Sequence, residues 1–344
     1  MIFGSKSVSF DPEKDIPSLI GKVILVTGGN AGLGKQSVLE FSRHKPKQIW
    51  LASRSLEKAK AAADEIKQQV PDAPITLLEL DLGSFDSVKK ASMRVLSESD
   101  RLDILMLNAG IMAVPPGLTK DGYEIQFGTN HMGHALLTKL LLPILEKTAK
   151  SNTGADVRIV SMTSYGHTYA PKGGCRLDTA KTTADSLGAY GRYYQSKLAN
   201  VLWIRQLAKL YPQFTVAAIH PGVVRTQLMD GATATPAVVR VLVKVGNKFL
   251  KSVEQGARNQ LWASVSNDVK SGEYYEPVGI GGLASDDGKD DGLAKKLWDW
   301  TEEELKEHSV LEEYDTSHML TMIRLEFLIH VWAATLRLEQ VDAN

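Results

Sequence analysis

The sequence predicts an α/β fold: one domain built on a doubly wound parallel sheet, with a helical extension at its C-terminal end. Three observations predict it. Six short, near-continuous apolar runs recur along the chain, longer helical stretches separate them, and a glycine-rich turn joins the first run to the first helix. Apolar side chains on both faces suit a parallel sheet covered by helices on each side, whereas a half-wet antiparallel strand would alternate. Strict alternation of strand and helix then implies right-handed crossovers.

The runs are "KVILVTG" (22–28), "QIWLAS" (48–53), "ITLLELDL" (75–82), "LDILMLNAG" (102–110), "VRIVSMTS" (157–164) and "TVAAIHPG" (215–222). Helices such as "LGKQSVLEFSRH" and "SLEKAKAAADEIKQQV" lie between them. Residues 1–20 read as a mostly polar lead-in, 21–308 as one continuous domain without an internal linker, and 309–344 as the extension.

The totals exclude several classes. Lys+Arg and Asp+Glu are 40 each in 344 residues. With no net charge and no basic stripe, a nucleic-acid partner is not expected. A lone Cys175 allows no internal disulfide and suits a reducing compartment, and nothing near it in sequence would activate the thiol. The N-terminus lacks the apolar run of a signal peptide, and no segment has the ~20 apolar residues of a membrane span. The expectation is a cytoplasmic protein.

The first strand leads into "TGGNAGLG", Thr27 to Gly34. Glycines let the backbone turn tightly and approach a pyrophosphate, while amides at the next helix's start meet its charge. The spacing, Gly28-x-x-x-Gly32-x-Gly34, departs from the commoner G-x-G-x-x-G; its place between strand and helix carries the nucleotide reading. Binders of NAD place an acidic residue about 20 positions on, to hold the ribose 2′-hydroxyl. Here that position is Arg54, preceded by Ser53. A guanidinium pairs with a 2′-phosphate that a carboxylate would repel, so the expected cofactor is NADP(H). Asp81 lies too far along for the ribose role and is assigned to the adenine amino group.

"GRYYQSKLAN" places Tyr193 four positions and Tyr194 three positions before Lys197. Both spacings put a phenol near the amine on one helix face, so geometry leaves the choice open. Leu198, Val201 and Leu202 continue an apolar stripe that docks the helix.

Together, "TGGNAGLG", "NAG" (108–110), "NHMGHALLT" from Asn130, "RIVSMTS" ending at Ser164, "YYQSK" and "HPGVVRT" from His220 resemble the short-chain dehydrogenase/reductase family. They occur in the family's order over roughly residues 20–285, and their wording is closest to the retinol-dehydrogenase-like branch and its fungal relatives. The resemblance implies a Rossmann-type fold and an oxidoreductase acting on alcohols or carbonyls. Its Tyr-x-x-x-Lys pattern selects Tyr193 and leaves Tyr194 as a packing or cleft-wall residue. The implied catalytic set is Ser164, Tyr193, Lys197 and Asn130: Ser164 holds the reacting oxygen, Tyr193 exchanges the proton, and Asn130 positions a water beside Lys197. The implied cofactor set is Gly28, Asn30, Gly32, Leu33, Gly34, Arg54, Asp81, Asn108, Tyr193, Lys197, Val224 and Thr226. His220 is read as structural. No metal is implied.

A free phenol is only about 0.1% ionised at neutral pH. The expectation is that the Lys197 ammonium lowers the Tyr193 pKa, tuning it for proton transfer.

Two variable segments bear on the substrate. "YGHTYAPKGGCRLDTAKTTADSLGAYG" has the polar, glycine-rich character of a cleft wall, and Val238–Val245 is strongly apolar. The expected substrate is a bulky apolar ketone, aldehyde or alcohol of polyketide or terpenoid type, with a place in secondary metabolism. In the extension, the charge-free stretch Phe327–Leu336 has 10 residues, half a membrane span. Packing on the body or a homodimer contact is ranked ahead of a peripheral membrane anchor. Two other functions compete: a non-catalytic NADP-binding regulator or scaffold on the same fold, and a nucleotide-sugar epimerase or dehydratase. The four catalytic residue types argue against the first, the glycine spacing and short substrate region against the second.

Overall fold

The computed structural model describes residues 7–151, 156–224, 232–233 and 250–309. Thr226, the apolar segment Val238–Val245 and the extension beyond Ser309 lie outside them, and with these the expected lid, membrane and dimer contacts.

Seven parallel strands form one sheet in the order β3-β2-β1-β4-β5-β6-β7. They are β1 Val23–Thr27, β2 Gln48–Ser53, β3 Ile75–Glu79, β4 Ile104–Leu107, β5 Arg158–Met162, β6 Thr215–Ile219 and β7 Glu273–Tyr275. Six coincide with the apolar runs. β7, three residues of "EYY", is too short to stand out by pattern. The helices are α1 Pro12–Asp15, α2 Gly32–Arg43, α3 Leu56–Gln69, α4 Phe85–Glu98, α5 Ile125–Phe127, α6 Gly133–Ala149, α7 Gly188–Leu210, α8 Val253–Val265, α9 Asp286–Lys289 and α10 Asp291–Leu305. A π-helical turn, Gly128–Met132, joins α5 to α6.

Each strand divides its side chains between two cores, as the two-residue strand period requires. Val23 and Leu25 of β1 pack with Val88, Leu136 and Leu198 under α4, α6 and α7. Ile24 and Val26 pack with Val38, Ala59 and Trp262 under α2, α3 and α8. Phe10, Ile16 and Leu19 join this second core, so the lead-in is fastened to the body through three apolar side chains. The backbone adds a bond from Val8 N to Val278 O of 2.9 Å.

Strand order reverses between β1 and β4. In an open parallel sheet that reversal leaves a crevice at the strands' C-terminal ends, where ligands bind. Thr27, Leu107 and Met162 all end their strands there.

Candidate active site

The glycine turn closes on itself tightly. Gly28 and Gly32 adopt φ of 67° and 51°, a region that penalises any side chain. A Cβ on Gly34 would stand 2.3 Å from the Gly28 carbonyl oxygen and 2.5 Å from Asn108 Nδ2. Asn108 Nδ2 donates to Thr27 O at 2.9 Å, pinning the end of β4 to the end of β1. Leu33 and Val224 meet over Gly256, where a Cβ would lie 2.9 Å from Leu33 Cδ2 and 2.5 Å from Val224 Cγ2. α2 begins at Ala31 without a side-chain cap and without an acidic residue in its first turn. Its leading amides therefore face the crevice region as unneutralised partial positive charge. Asn30 lies in this turn, half-buried. Arg54, at the end of β2, is exposed and has no bonding partner among the described residues. Asp81 is half-buried, with Oδ1 accepting Gly83 N at 3.0 Å. These donors fit an anionic dinucleotide; among the described residues no cluster could hold a metal.

The second half of the crevice is built from side chains. Asn130 is fully buried in the π-helical turn. It grips Ile111 twice: Oδ1 accepts Ile111 N at 2.8 Å and Nδ2 donates to Ile111 O at 2.9 Å. Nδ2 also donates to Ser196 Oγ at 2.9 Å. Asn130 and Lys197 face each other across Gly110, whose Cβ would sit 3.2 Å from Asn130 Oδ1 and 3.4 Å from Lys197 Nζ. Lys197 Nζ donates to Met162 O at 3.0 Å and lies 5.6 Å from the centroid of the Tyr193 ring. Ser164, half-buried at the exit of β5, accepts Gly166 N at 3.0 Å, and its hydroxyl also bonds the Tyr193 phenol. Neighbouring Thr163 is buried and donates to Lys197 O at 2.7 Å, anchoring α7. Among Ser161, Thr163 and Ser164, Ser164 is the one that reaches the crevice.

The electrostatics differ from the expectation. Burial pushes the Tyr193 phenol up to about 12, with the Ser164 hydroxyl as the lowering neighbour. Burial pushes Lys197 down to about 7. An ammonium was expected to acidify the phenol; here both groups favour their neutral forms, because each lies away from water at 6% and 3% exposure. The phenol is thus held protonated at neutral pH.

A supporting layer went unread in the sequence. His134 Nδ1 meets only the Asn130 carbonyl, at 3.1 Å, so that nitrogen carries the proton. Its Nε2 accepts the Thr27 hydroxyl at 2.9 Å, and Thr27 Oγ1 accepts Ala109 N at 3.0 Å. The relay ties the glycine strand to the Asn130 turn. Burial holds His134 down to about 4, keeping it neutral. Below it, the fully buried pair Arg192–Glu124 spans 3.3 Å. Glu124 Oε2 accepts Gln126 N and Phe127 N at 3.1 and 2.7 Å, starting the turn that carries Asn130. Arg192, adjacent to Tyr193, donates to Val114 O at 3.0 Å. Burial raises Glu124, opposed by those two amides and Arg192. On the other side, His167 Nδ1 donates to Ser164 O at 2.8 Å and its Nε2 accepts Ser285 N at 3.0 Å. His220 is half-buried beside it, and loss of water around its ring pushes it down to about 4. Nothing local in sequence marks these partners; Glu124, three positions before Phe127, and Arg192, next to Tyr193, were the available signal.

The crevice thus brings the glycine turn into one place with Ser164, Tyr193, Lys197 and Asn130. A short chain dehydrogenase family profile matches residues 22–237, and the chain belongs to that family. It is 38% identical over 311 residues to the short-chain dehydrogenase/reductase drtF of Aspergillus calidoustus, covering 86% of this chain and 98% of the relative. It is 34% identical over 287 residues to retinol dehydrogenase 13 of Homo sapiens, covering 81% and 82%. Among solved structures, an uncharacterised protein from Mycobacterium paratuberculosis superposes with a TM-score of 0.66 at 28% identity, covering 86% of this chain and 97% of that one. A Shigella flexneri short chain dehydrogenase in complex with NADP, 24% identical, shares the fold at a TM-score of 0.56, covering 75% and 98%.

Proposed function

We propose that the protein transfers a hydride between NADP(H) and a hydrophobic ketone, aldehyde or alcohol, with Ser164, Tyr193, Lys197 and Asn130 as its catalytic set. The observation that carries this reading is a linked set: Asn130 and Lys197 face each other across Gly110, Lys197 Nζ lies 5.6 Å from the Tyr193 ring, and the Tyr193 hydroxyl bonds Ser164. The bound dinucleotide supplies the hydride. Gly28, Asn30, Gly32, Leu33 and Gly34 would hold its diphosphate, Asp81 its adenine, Asn108 its adenosine ribose, Lys197 its nicotinamide ribose, and Val224 with Thr226 its carboxamide and phosphate. Arg54 takes the 2′-phosphate. Its exposure without a carboxylate partner supports NADP over NAD, as does the NADP bound by the Shigella protein.

Ser164, whose hydroxyl bonds the Tyr193 phenol, turns its hydrogen to the substrate oxygen when substrate arrives. Tyr193, protonated at neutral pH, gives its proton to that oxygen as reduction proceeds. Lys197, titrating near 7, stabilises the phenolate that results. Asn130, which grips Ile111 through both amide atoms, positions a water beside Lys197. A substrate of polyketide or terpenoid type agrees with the Tyr194 and Tyr169 rings beside Tyr193, and a cytoplasmic setting with the single, half-buried cysteine.

Tyr193→Phe tests the reading. NADPH-dependent ketone reduction falls by about a thousandfold, while the NADPH dissociation constant changes less than about twofold. A variant that keeps its rate overturns the assignment.

A further inference from the structure

Beside the catalytic pair, four more tyrosines stand in ring contact. Tyr194 lies 6.1 Å from Tyr193, centroid to centroid, and Tyr169 and Tyr190 lie 5.5 and 6.0 Å from Tyr194. Tyr165 follows at 5.8 Å from Tyr169 and reaches to 6.4 Å from His220, where the chain leaves β6. The series therefore runs along the crevice edge, from the proton donor to the start of the loop after β6. A Cβ on Gly166 would stand 2.7 Å from Tyr194 Cδ1 and 3.3 Å from Ser164 Oγ, so the Tyr194 ring and the Ser164 hydroxyl flank one glycine.

Two features separate this wall from ordinary core packing. Tyr165 and Tyr169 are 47% and 63% exposed, on an edge where core aromatics would be covered. The hydroxyls of Tyr165, Tyr169 and Tyr194 make no hydrogen bond among the described residues, so each can donate to an incoming acceptor. The wall thus offers tilted ring faces and unengaged phenol donors side by side.

We infer that the Tyr194–Tyr169–Tyr165 wall is a subsite for a planar, oxygen-substituted aryl ring carried by the substrate carbonyl. An aromatic face gains quadrupolar edge-to-face contact that a saturated ring of equal size lacks, and ring oxygens accept from the phenols. Tyrosine also gives up little conformational freedom when it makes such contacts. The inference rests on the proposed function for the position of the reacting carbonyl, and it adds the chemical class of the remainder.

The test uses three ketones on related skeletons: 6-hydroxy-1-tetralone, 1-tetralone and 1-decalone, which differ in a ring hydroxyl and in ring aromaticity. With the full-length protein and NADPH, kcat/KM falls in that order, and the two tetralones exceed the decalone by about tenfold or more, as two ring contacts predict. In Tyr194→Leu and, separately, in the exposed Tyr169→Leu, the tetralone-to-decalone ratio drops toward one. In Tyr169→Phe, only the advantage of 6-hydroxy-1-tetralone over 1-tetralone shrinks. A wild-type ratio within about twofold of one overturns the inference even if all three ketones are reduced, and the proposed function then stands. Where no ketone is turned over, calorimetric titration of the NADPH-loaded protein decides. Tetralone binding about tenfold tighter than decalone supports the subsite and overturns the reaction, whereas equal or absent binding overturns both.

Discussion

Around the ends of β1 and β2 the crevice presents backbone; around β4 and β5 it presents buried side chains. The first region depends on absent atoms. Gly34 has no Cβ where one would meet a carbonyl oxygen at 2.3 Å, and no side chain caps α2. The second region depends on polar groups withdrawn from water: Asn130, Ser196, Lys197, His134, Glu124 and Arg192 are all at most 3% exposed. A polyanion is met by amides that are fixed with the fold, whereas proton exchange needs titratable groups whose charge the surroundings control. The two regions should therefore fail differently when damaged.

The largest effect belongs to the side-chain region. Arg192→Met leaves Glu124 buried opposite a methyl thioether, and removing one member of such a pair costs about 3–5 kcal/mol. Chemical denaturation reads that loss. Adding Glu124→Gln removes the stranded charge, and the double variant recovers most of the stability. If the double variant is no more stable than the single one, charge is not what governs this region.

Next comes Gly34→Ala. The Gly28 carbonyl is backbone and cannot rotate out of the way, so α2 must shift; overpacking of this kind costs about 1–3 kcal/mol. The shift moves the uncapped amides, so NADPH affinity falls with stability, by about tenfold or more for each 1.4 kcal/mol lost at the site. Isothermal titration of NADPH checks it. An alanine variant with unchanged affinity would show that the amides do not hold the diphosphate.

The contrast also explains what the sequence disclosed. Six strands were legible because apolar runs announce themselves, and the glycine turn because its spacing is local. That a tyrosine shares a helix face with Lys197 was legible from spacing, whereas the choice of Tyr193 over Tyr194 came from the family resemblance. The sign of the pair's titration was not legible. Tyr193 and Lys197 sit beneath Gly110 and Met162, more than 30 positions away in sequence, and only the folded chain shows how completely water is removed. Arg192 and Glu124, 68 positions apart, are each an ordinary charged residue until α7 meets the turn before α6. Phe10, Ile16 and Leu19 looked like a scattered few apolar residues in a polar lead-in, yet they complete a core.

A third effect is read through pH. His134 is neutral when folded down to about 4, but free histidine takes up a proton near 6.5. Between those values the unfolded chain binds the extra proton, so stability falls as pH drops, by about 1.4 kcal/mol per unit for this one group. Above pH 6.5 the group has no effect on the slope. His131, pushed by burial to about 3, acts in the same sense. The His134→Leu variant loses the bonds to Asn130 and Thr27 and is less stable at pH 7, but its stability declines less steeply from pH 6 to pH 5. Parallel slopes for wild type and variant would mean that His134 is charged in the fold and that its Nε2 does not accept from Thr27.

The smallest effect belongs to the backbone region's one charged side chain. Arg54 is exposed and unpaired among the described residues, so the proposed contact with a 2′-phosphate would lie in high dielectric, where an ion pair contributes up to about 1 kcal/mol. Arg54→Ala then weakens NADPH by about fivefold and leaves NADH unchanged, because the two cofactors differ only in that phosphate. Raising salt narrows the wild-type preference in the same direction, since surface charges are screened within about 10 Å at 0.1 M. Arg54→Asp goes further and favours NADH, as a carboxylate accepts the free ribose hydroxyl and repels the phosphate. Equal losses of NADPH and NADH affinity in Arg54→Ala would place this guanidinium on the part the two cofactors share.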